Sequence, residues 1–298
     1  MRRKSVLALL LIAVILISIH FLLRSGPFSD RVTKFVTARI EKLTGIHLTL
    51  ERATLSLIPA ALVLEGVELP PTGPDTPPIA IKNIRVSFSP WSLFTEVIFI
   101  KKIVLTEPTV RLNFGDQNLM PFRWSPPRSS AENSNDKPRR MRAVIRDIQI
   151  YEGVLELRPA NGPAILSLQH LEGHISPDLM MQTFDATGSA KNISVRQGAF
   201  HKTLDSISGR FILRPPVLEI RKLEAADSSS RYTLGGTIQN PASPEMNMTF
   251  SSDFPLSDFD AWMPDRLPLK GSAHFSGEAR GIWPDLSFKG SLSATRIT

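Results

Sequence analysis

The sequence predicts a mainly β protein: one long, strongly twisted and curled antiparallel sheet forming an elongated groove, preceded by one transmembrane helix and a short amphipathic helix. Three observations predict it. Apolar residues fall at every second position over most of the 298 residues, the pattern that gives a strand one apolar and one polar face. The segments written this way number about seventeen, whereas open sheets seldom exceed roughly ten strands without curling or splitting. Consecutive segments read as neighbours joined by short turns rather than by the long crossings of a Greek key, and aromatic residues are only 7%, few for a sandwich core. At about 4.8 Å per strand, such a sheet extends roughly 80 Å.

The first element is the N-terminal run Val6 to Leu23, VLALLLIAVILISIHFLL, 18 residues whose only polar members are Ser18 and His20. At about 1.5 Å per residue it spans most of a hydrocarbon core of about 30 Å. Arg2, Arg3 and Lys4 precede it and Arg24 follows, a balance that keeps the N-terminus cytoplasmic and exports the remainder. The run is longer than the roughly 7–15 apolar residues of a signal peptide, and RSGPFSD is a poor small-x-small cleavage site. Residues 1–27 are therefore read as an uncleaved membrane anchor.

Residues 28–45 follow as an amphipathic helix. Phe28, Val32, Phe35, Val36, Ile40 and Leu43 fall at helical spacing, with Arg31, Lys34, Arg39 and Lys42 elsewhere on the turn. Ser29 or Asp30 suits the N-cap, and Gly45 the position after the C-cap. Its expected place is the end of the sheet, with the membrane surface as the alternative.

Residues 46–114 form the first stretch of the groove, and their apolar positions are its expected lining. In IHLTLERATLSLIPAALVLEGVELP these are Ile46, Leu48 and Leu50, then Leu55 and Leu57, then Leu62 and Leu64. IAIKNIRVSFSP puts Ile79 and Ile81 on one beat and Ile84, Val86 and Phe88 one residue out of step, which calls for a bulge near Lys82–Asn83. SPWSLF reads as a corner or a single helical turn. EVIFIKKIVLTEPTVRLNF supplies two strands separated near Glu107–Pro108, the second carrying Val110, Leu112 and Phe114.

Residues 115–140 lose the alternation and gain Pro, Ser and Asn, reading as a long flexible loop. The basic cluster Lys137, Arg139, Arg140 and Arg142 reads as solvated charge rather than a phospholipid or nucleic-acid contact. Residues 141–298 continue the sheet, truncated at Thr298 on this reading, with only LSDFDAWMPDRL briefly helical. Lys270-Gly271-Ser272 recurs as Lys289-Gly290-Ser291, a spacing of about one hairpin.

Chemistry is sparse. The absence of Cys excludes disulfides, thiolate metal sites and thiol nucleophiles. A net charge of +7 suits anionic headgroups as well as nucleic acid. His170 and His174 would pair on a metal from a helix, but on a strand four residues span roughly 13 Å. Asp258, Asp260 and Asp265 around Trp262 read as turn residues. Asn192-Ile-Ser and Asn247-Met-Thr fit the glycosylation pattern, which has meaning only in a secretory-pathway host. No phosphate loop or nucleophile elbow is written in the chain. The expectation is a non-enzyme with no catalytic residue, metal, cofactor or nucleic-acid partner. An exposed aliphatic face of this size is an aggregation hazard in water, and its fitting partner is apolar and fluid: the acyl chains of membrane phospholipids.

The order of anchor, amphipathic helix, LTGIHLTLERATLSLIPAALVLEGVEL and IAIKNIRVSFSPWSLFTEVIFIKKIVLTEPTVRL resembles the N-terminal region of bacterial AsmA-like proteins. There, a helix ending near a Gly leads into a strand, an "sl-p-l-l" turn and a "v-l-s-pl-f" stretch closing on "i-l-p-v-l". Residues 6–114 match in order and spacing. From 141 the likeness is looser, with LSFKGSLSAT and YTLGGTIQ resembling the Gly-punctuated strands of AsmA and TamB relatives. The resemblance implies a single-pass inner-membrane protein with its bulk in the periplasm, a bridge-like β-groove, and a part in intermembrane phospholipid transport and outer-membrane biogenesis. Family members are often longer, with a distinct C-terminal part. Two rival readings stand beside it. One is a scaffold for outer-membrane protein insertion or secretion, binding envelope proteins along its sheet edges. The other is a pair of glycan-binding sandwiches with closed cores.

Overall fold

The computed structural model describes residues 26–44, 47–57, 59–70, 78–94, 97–114, 142–159, 162–178, 181–197, 200–240, 244–259, 270–282 and 285–295. The expected anchor over Val6–Leu23, the loop over 115–140 and Ile46 lie outside these residues. Among the described residues no helix is long and apolar enough to cross a membrane.

One helix, α1 (Gly26–Thr44), precedes the strands β1 (Thr49–Leu57), β2 (Ala60–Leu69), β3 (Ile79–Phe88) and, after a 3-10 turn at Pro90–Phe94, β4 (Val97–Phe114). Then come β5 (Arg142–Ile145), β6 (Ile148–Pro159), β7 (Leu166–Asp178), β8 (Thr183–Gln197), β9 (Phe200–Arg214), β10 (Val217–Ala226), β11 (Arg231–Gln239) and β12 (Glu245–Pro255). A 3-10 turn at Leu256–Phe259 leads to β13 (Ser272–Ile282) and β14 (Asp285–Thr295). All strands belong to one 14-stranded sheet in which neighbours in sequence are neighbours in space, except that β4 pairs with both β5 and β6 while β5 lies off the main path. The meander read from the alternation is therefore found.

Four details of the expectation need correction. The described strands number fourteen, not about seventeen, partly because 97–114 is one continuous 18-residue strand rather than two. The sheet is not wholly antiparallel: β4 pairs in parallel with β5 at one end and with β6 along the rest. Strong curling is not found, and the sheet is open, with β1 and β14 at opposite ends of the strand order. Last, the two Lys-Gly-Ser stretches are not equivalent: Gly271 precedes β13, whereas Gly290 sits inside β14 opposite Gly277.

The register does not shift at Lys82–Asn83, where a bulge was expected; a ladder pair is missing at that level instead, as part of a seam across the sheet. In the β1–β2 ladder Leu50 pairs with Val67 and Arg52 with Glu65, leaving Glu51 beside Gly66. The β2–β3 ladder leaves Gly66 beside Lys82, and β3–β4 leaves Lys82 beside Glu107. Gly66, Glu107, Glu152, His170 and Asn192 all have φ between 47° and 60°. Because neighbouring strands each insert a residue at one level, the apolar beat shifts in all of them together and each face keeps its character. The added residues are mostly charged and pair along the seam, Lys82 Nζ with Glu107 Oε1 at 2.5 Å and His170 Nδ1 with Glu152 Oε2 at 2.5 Å. Pro108, which has no N–H to donate, sits beside this seam, where the ladder is already interrupted.

Helix α1 closes the β1 edge. Its Ser29 hydroxyl donates to the Ala53 carbonyl at 2.8 Å, and the Ala53 N–H donates to Thr33 Oγ1 at 2.8 Å. Two edge groups that would otherwise recruit another strand are thus satisfied. Val32 and Val36 pack on Leu48, Ala53, Leu64 and Val67, which are all nearly inaccessible.

Candidate functional site

Residues paired across a ladder share a face, so the registers identify which side chains lie together. One row runs through thirteen strands: Leu55, Leu62, Val86, Ile103, Ile148, Ile175, Ala186, Phe211, Ile220, Gly236, Met248, Ala279 and Phe288. None is polar. Two residues away along β2, a second row begins with Ala53, Leu64, Ile84, Leu105 and Ile150. It continues through Gly173, Gly188, Gly209, Leu223, Leu234, Phe250, Gly277 and Gly290. It too lacks a polar side chain. Between them, on the opposite face, lies the row Thr54, Val63, Arg85, Val104, Gln149, His174, Thr187, Arg210 and Lys222. Along these rows the sheet is apolar on one side and mostly polar on the other.

The apolar face has no second layer among the described residues. Each strand packs on its ladder neighbours, α1 on β1 and the first 3-10 turn on β4. Most of the first row is accordingly half-buried; only Ile220, Met248 and Ala279 are buried, and Phe288 at the β14 end is 70% exposed. Aromatic rings cover part of the glycine floor: Phe211 lies over Gly209, Phe250 over Gly277 and Phe275 over Gly290, the Phe250 and Phe275 rings standing 5.1 Å apart.

The expected lining residues fall on this face, with distinctions. Leu55, Leu62, Ile84 and Val86 belong to the two rows. Leu50 and Ile81 share their face through Val67, and Leu69 carries Ile79 onto it. Phe88 pairs with Ile100, while Val110 and Leu112 pair with Leu155 and Leu157. Leu48 and Leu64 are buried in the cluster that α1 covers, so they hold the helix rather than face open space. Leu57 and Phe114 are placed by backbone register alone, opposite Ala60 and Pro159. What the sequence reading missed is the second half of the face, from Ile148 onward, where Gly interruptions obscure the alternation.

One charged residue is placed on the apolar face by the ladders among the described residues: Lys202, opposite Val195. Its Nζ lies 2.7 Å from Asp227 Oδ2, 2.7 Å from Asp258 Oδ2 and 3.2 Å from Ser230 Oγ. Burial works against the Asp227 carboxylate, but hydrogen bonds from Lys202, Ser229 and Ser230 outweigh it and hold its pKa well below the usual range. Burial likewise opposes the Lys202 ammonium, and its bonds to Asp227 and Asp258 outweigh that and raise its pKa. The cluster stands at strand ends, on the loop after β10 and the turn after β12, so both long rows stay free of charge.

The polar face carries a shallow hollow of about 400 Å³ over β6, β7 and β8, lined by Gln149, Tyr151, Glu172, His174, Thr187 and Ser189 among others. Its groups are engaged with one another: Tyr151 OH donates to Gln149 Oε1 at 2.5 Å, Gln149 Nε2 donates to Asp147 Oδ2 at 2.9 Å, and His174 Nε2 lies 2.6 Å from Asp147 Oδ1. His170 and His174 stand on β7 with separate acidic partners, and no His, Asp and Glu cluster suited to a metal occurs among the described residues. Asp258 belongs to the Lys202 cluster, while Asp260, Trp262 and Asp265 lie outside the described residues. The site this fold offers is the apolar face itself. Comparison with protein-family models, with curated proteins and with solved structures returns no match.

Proposed function

We propose that the apolar face is a trough for phospholipid acyl chains and that the chain serves lipid movement between the membranes of a bacterial envelope, held at the inner membrane by Val6–Leu23. The observation that carries this reading is the pair of uncharged rows crossing thirteen strands, with no protein layer over them among the described residues beyond the β1–β2 end that α1 covers. In water such a face is a liability; hydrocarbon tails cover it while headgroups stay solvated. Passage along it requires continuity rather than a reactive group. The resemblance of residues 6–114 to AsmA-like proteins points the same way, toward a periplasmic location and a role in outer-membrane biogenesis.

The test is photo-crosslinking in cells from a diazirine residue at Leu112 and at Ile148. Phospholipid adducts at both positions support the trough. Discrete protein adducts favour the second reading, a scaffold for client or envelope proteins. That reading draws on the β14 edge, where Phe288 and Leu292 (60% exposed) flank an unpaired backbone among the described residues.

A further inference from the structure

Helix α1 has two working faces, and the sheet uses only one. Ser29, Val32, Thr33 and Val36 turn toward β1. On the opposite side, at the spacing i, i+3, i+4 and i+7, stand Arg31, Lys34, Phe35 and Ala38, all exposed. Phe35 is 71% exposed, a bare aromatic ring next to two cations. A helix needing only to cap a sheet edge gains nothing from a ring in water, which costs hydration free energy without a packing return. Solvated basic side chains beside an outward Phe are the composition of a helix lying at a lipid interface, with the ring in the acyl boundary and the cations among anionic headgroups.

We propose that the outer face of α1 docks on an anionic phospholipid surface and so sets the first strand of the sheet at the headgroup level of the membrane. The occupant is a bilayer rather than a protein groove because the stripe sets two cationic side chains next to one ring and lacks the successive apolar anchors a protein groove requires. Continuity adds to this: the sequence immediately before the helix is the 18-residue apolar run Val6 to Leu23, so α1 begins within a few residues of the proposed anchor. With α1 lying flat, its inward face holds Ala53 by both backbone groups, and the sheet is fixed to the surface rather than swinging on a linker. The inference rests on the membrane-anchored reading above, and the test separates the two.

The chain has no Cys, so a single spin label is unambiguous. Full-length Ala38→Cys carries it on the outer stripe with Phe35 retained, and Glu245→Cys on the polar side of β12 is the control. Both are reconstituted into bilayers of phosphatidylcholine alone or with phosphatidylglycerol, and collision with oxygen and with a nickel chelate gives label depth. The expected result is a label about 5–10 Å inside the headgroup boundary in phosphatidylglycerol bilayers and a return toward water in phosphatidylcholine or high salt. Arg31→Glu with Lys34→Glu shifts it outward in the anionic bilayer, each charge weakening the docked state roughly fivefold. Phe35→Ser, with helicity unchanged by circular dichroism, does the same. A label that reads water in both bilayers, or that stays buried regardless of lipid charge and of these substitutions, overturns the proposal. Lipid adducts from Leu112 are scored separately: their absence with a docked Ala38 label removes the trough and leaves the docking helix.

Discussion

Lys202 is the residue most at odds with its surroundings, and its stability contribution follows from its two carboxylate partners. Asp227 has a depressed folded pKa, so its contribution is full above the unfolded carboxylate pKa and is lost as pH falls through the folded value, in strong acid. Lys202 has a raised pKa, so its contribution is full below the unfolded lysine pKa and is lost as pH rises through the folded one. Thermal unfolding at several pH values should show a plateau across neutrality. Lys202→Met leaves two carboxylates facing each other and should lower stability on that plateau by about 2 kcal/mol. An unchanged melting temperature would remove the cluster from the account. Gly236 tests the ladder itself. At φ +141°, a Cβ there would meet the Asn247 carbonyl oxygen at 2.2 Å and Met248 Cα at 2.7 Å. Gly236→Ala should cost on the order of 1–3 kcal/mol, read by chemical denaturation, while Gly235→Ala, whose Cβ has contacts no closer than 3.5 Å, should be milder. Sequence alone marks a Gly-Gly pair as a site of bending but does not tell which member carries the unusual backbone, because that depends on the partner strand.

At the scale of elements, the helix and the seam show what periodicity reveals and what it hides. The slip between Ile81 and Ile84 marks the level of the seam, where successive strands skip a ladder pair together with no change of register rather than one strand bulging against its neighbour. The same device at Glu107–Pro108 was read as a break between strands, because proline lacks a ladder donor and usually ends a strand. In the fold the strand runs on through Pro108, which stands beside the level where the β3–β4 ladder already skips a pair. The parallel β4–β6 pair is not legible, because alternation is identical in parallel and antiparallel strands. Edge protection by α1 depends on Ser29 and Thr33, whose hydroxyls look like ordinary capping and helix residues in the sequence. Thr33→Val removes the acceptor for the Ala53 N–H and should cost about 1 kcal/mol, with Ala53 amide exchange accelerating while amides in β8 and β9 hold. Equal protection at Ala53 in both proteins would show that the helix does not guard that edge.

Across the whole molecule the sequence made plain a one-sided meander but overstated its count and curvature. Twelve steps of about 4.8 Å carry the ladder roughly 60 Å, shorter than the extent expected from the alternation. Curvature is invisible to alternation because twist and coil arise from strand sterics and bulge placement, not from which positions are apolar. The candidate face was legible in its first half, where Leu, Ile and Val alternate cleanly, and obscured where Gly173, Gly188 and Gly209 take its positions side by side. Those glycines keep the face apolar while lowering its floor, which pattern matching reads as weak strand. The central claim is that this face is covered by lipid tails and not by protein. Its most direct test is mass spectrometry of the lipid retained by the full-length chain, purified in mild detergent, beside Val86→Arg, Leu112→Arg and the polar-face control Arg85→Ala. A desolvated charge among tails costs several kcal/mol, of order 2–7. The account predicts co-purified diacyl phospholipid in the wild type and the control and its loss in both arginine variants. Wild type free of phospholipid, or folded arginine variants that retain it in full, would contradict the account.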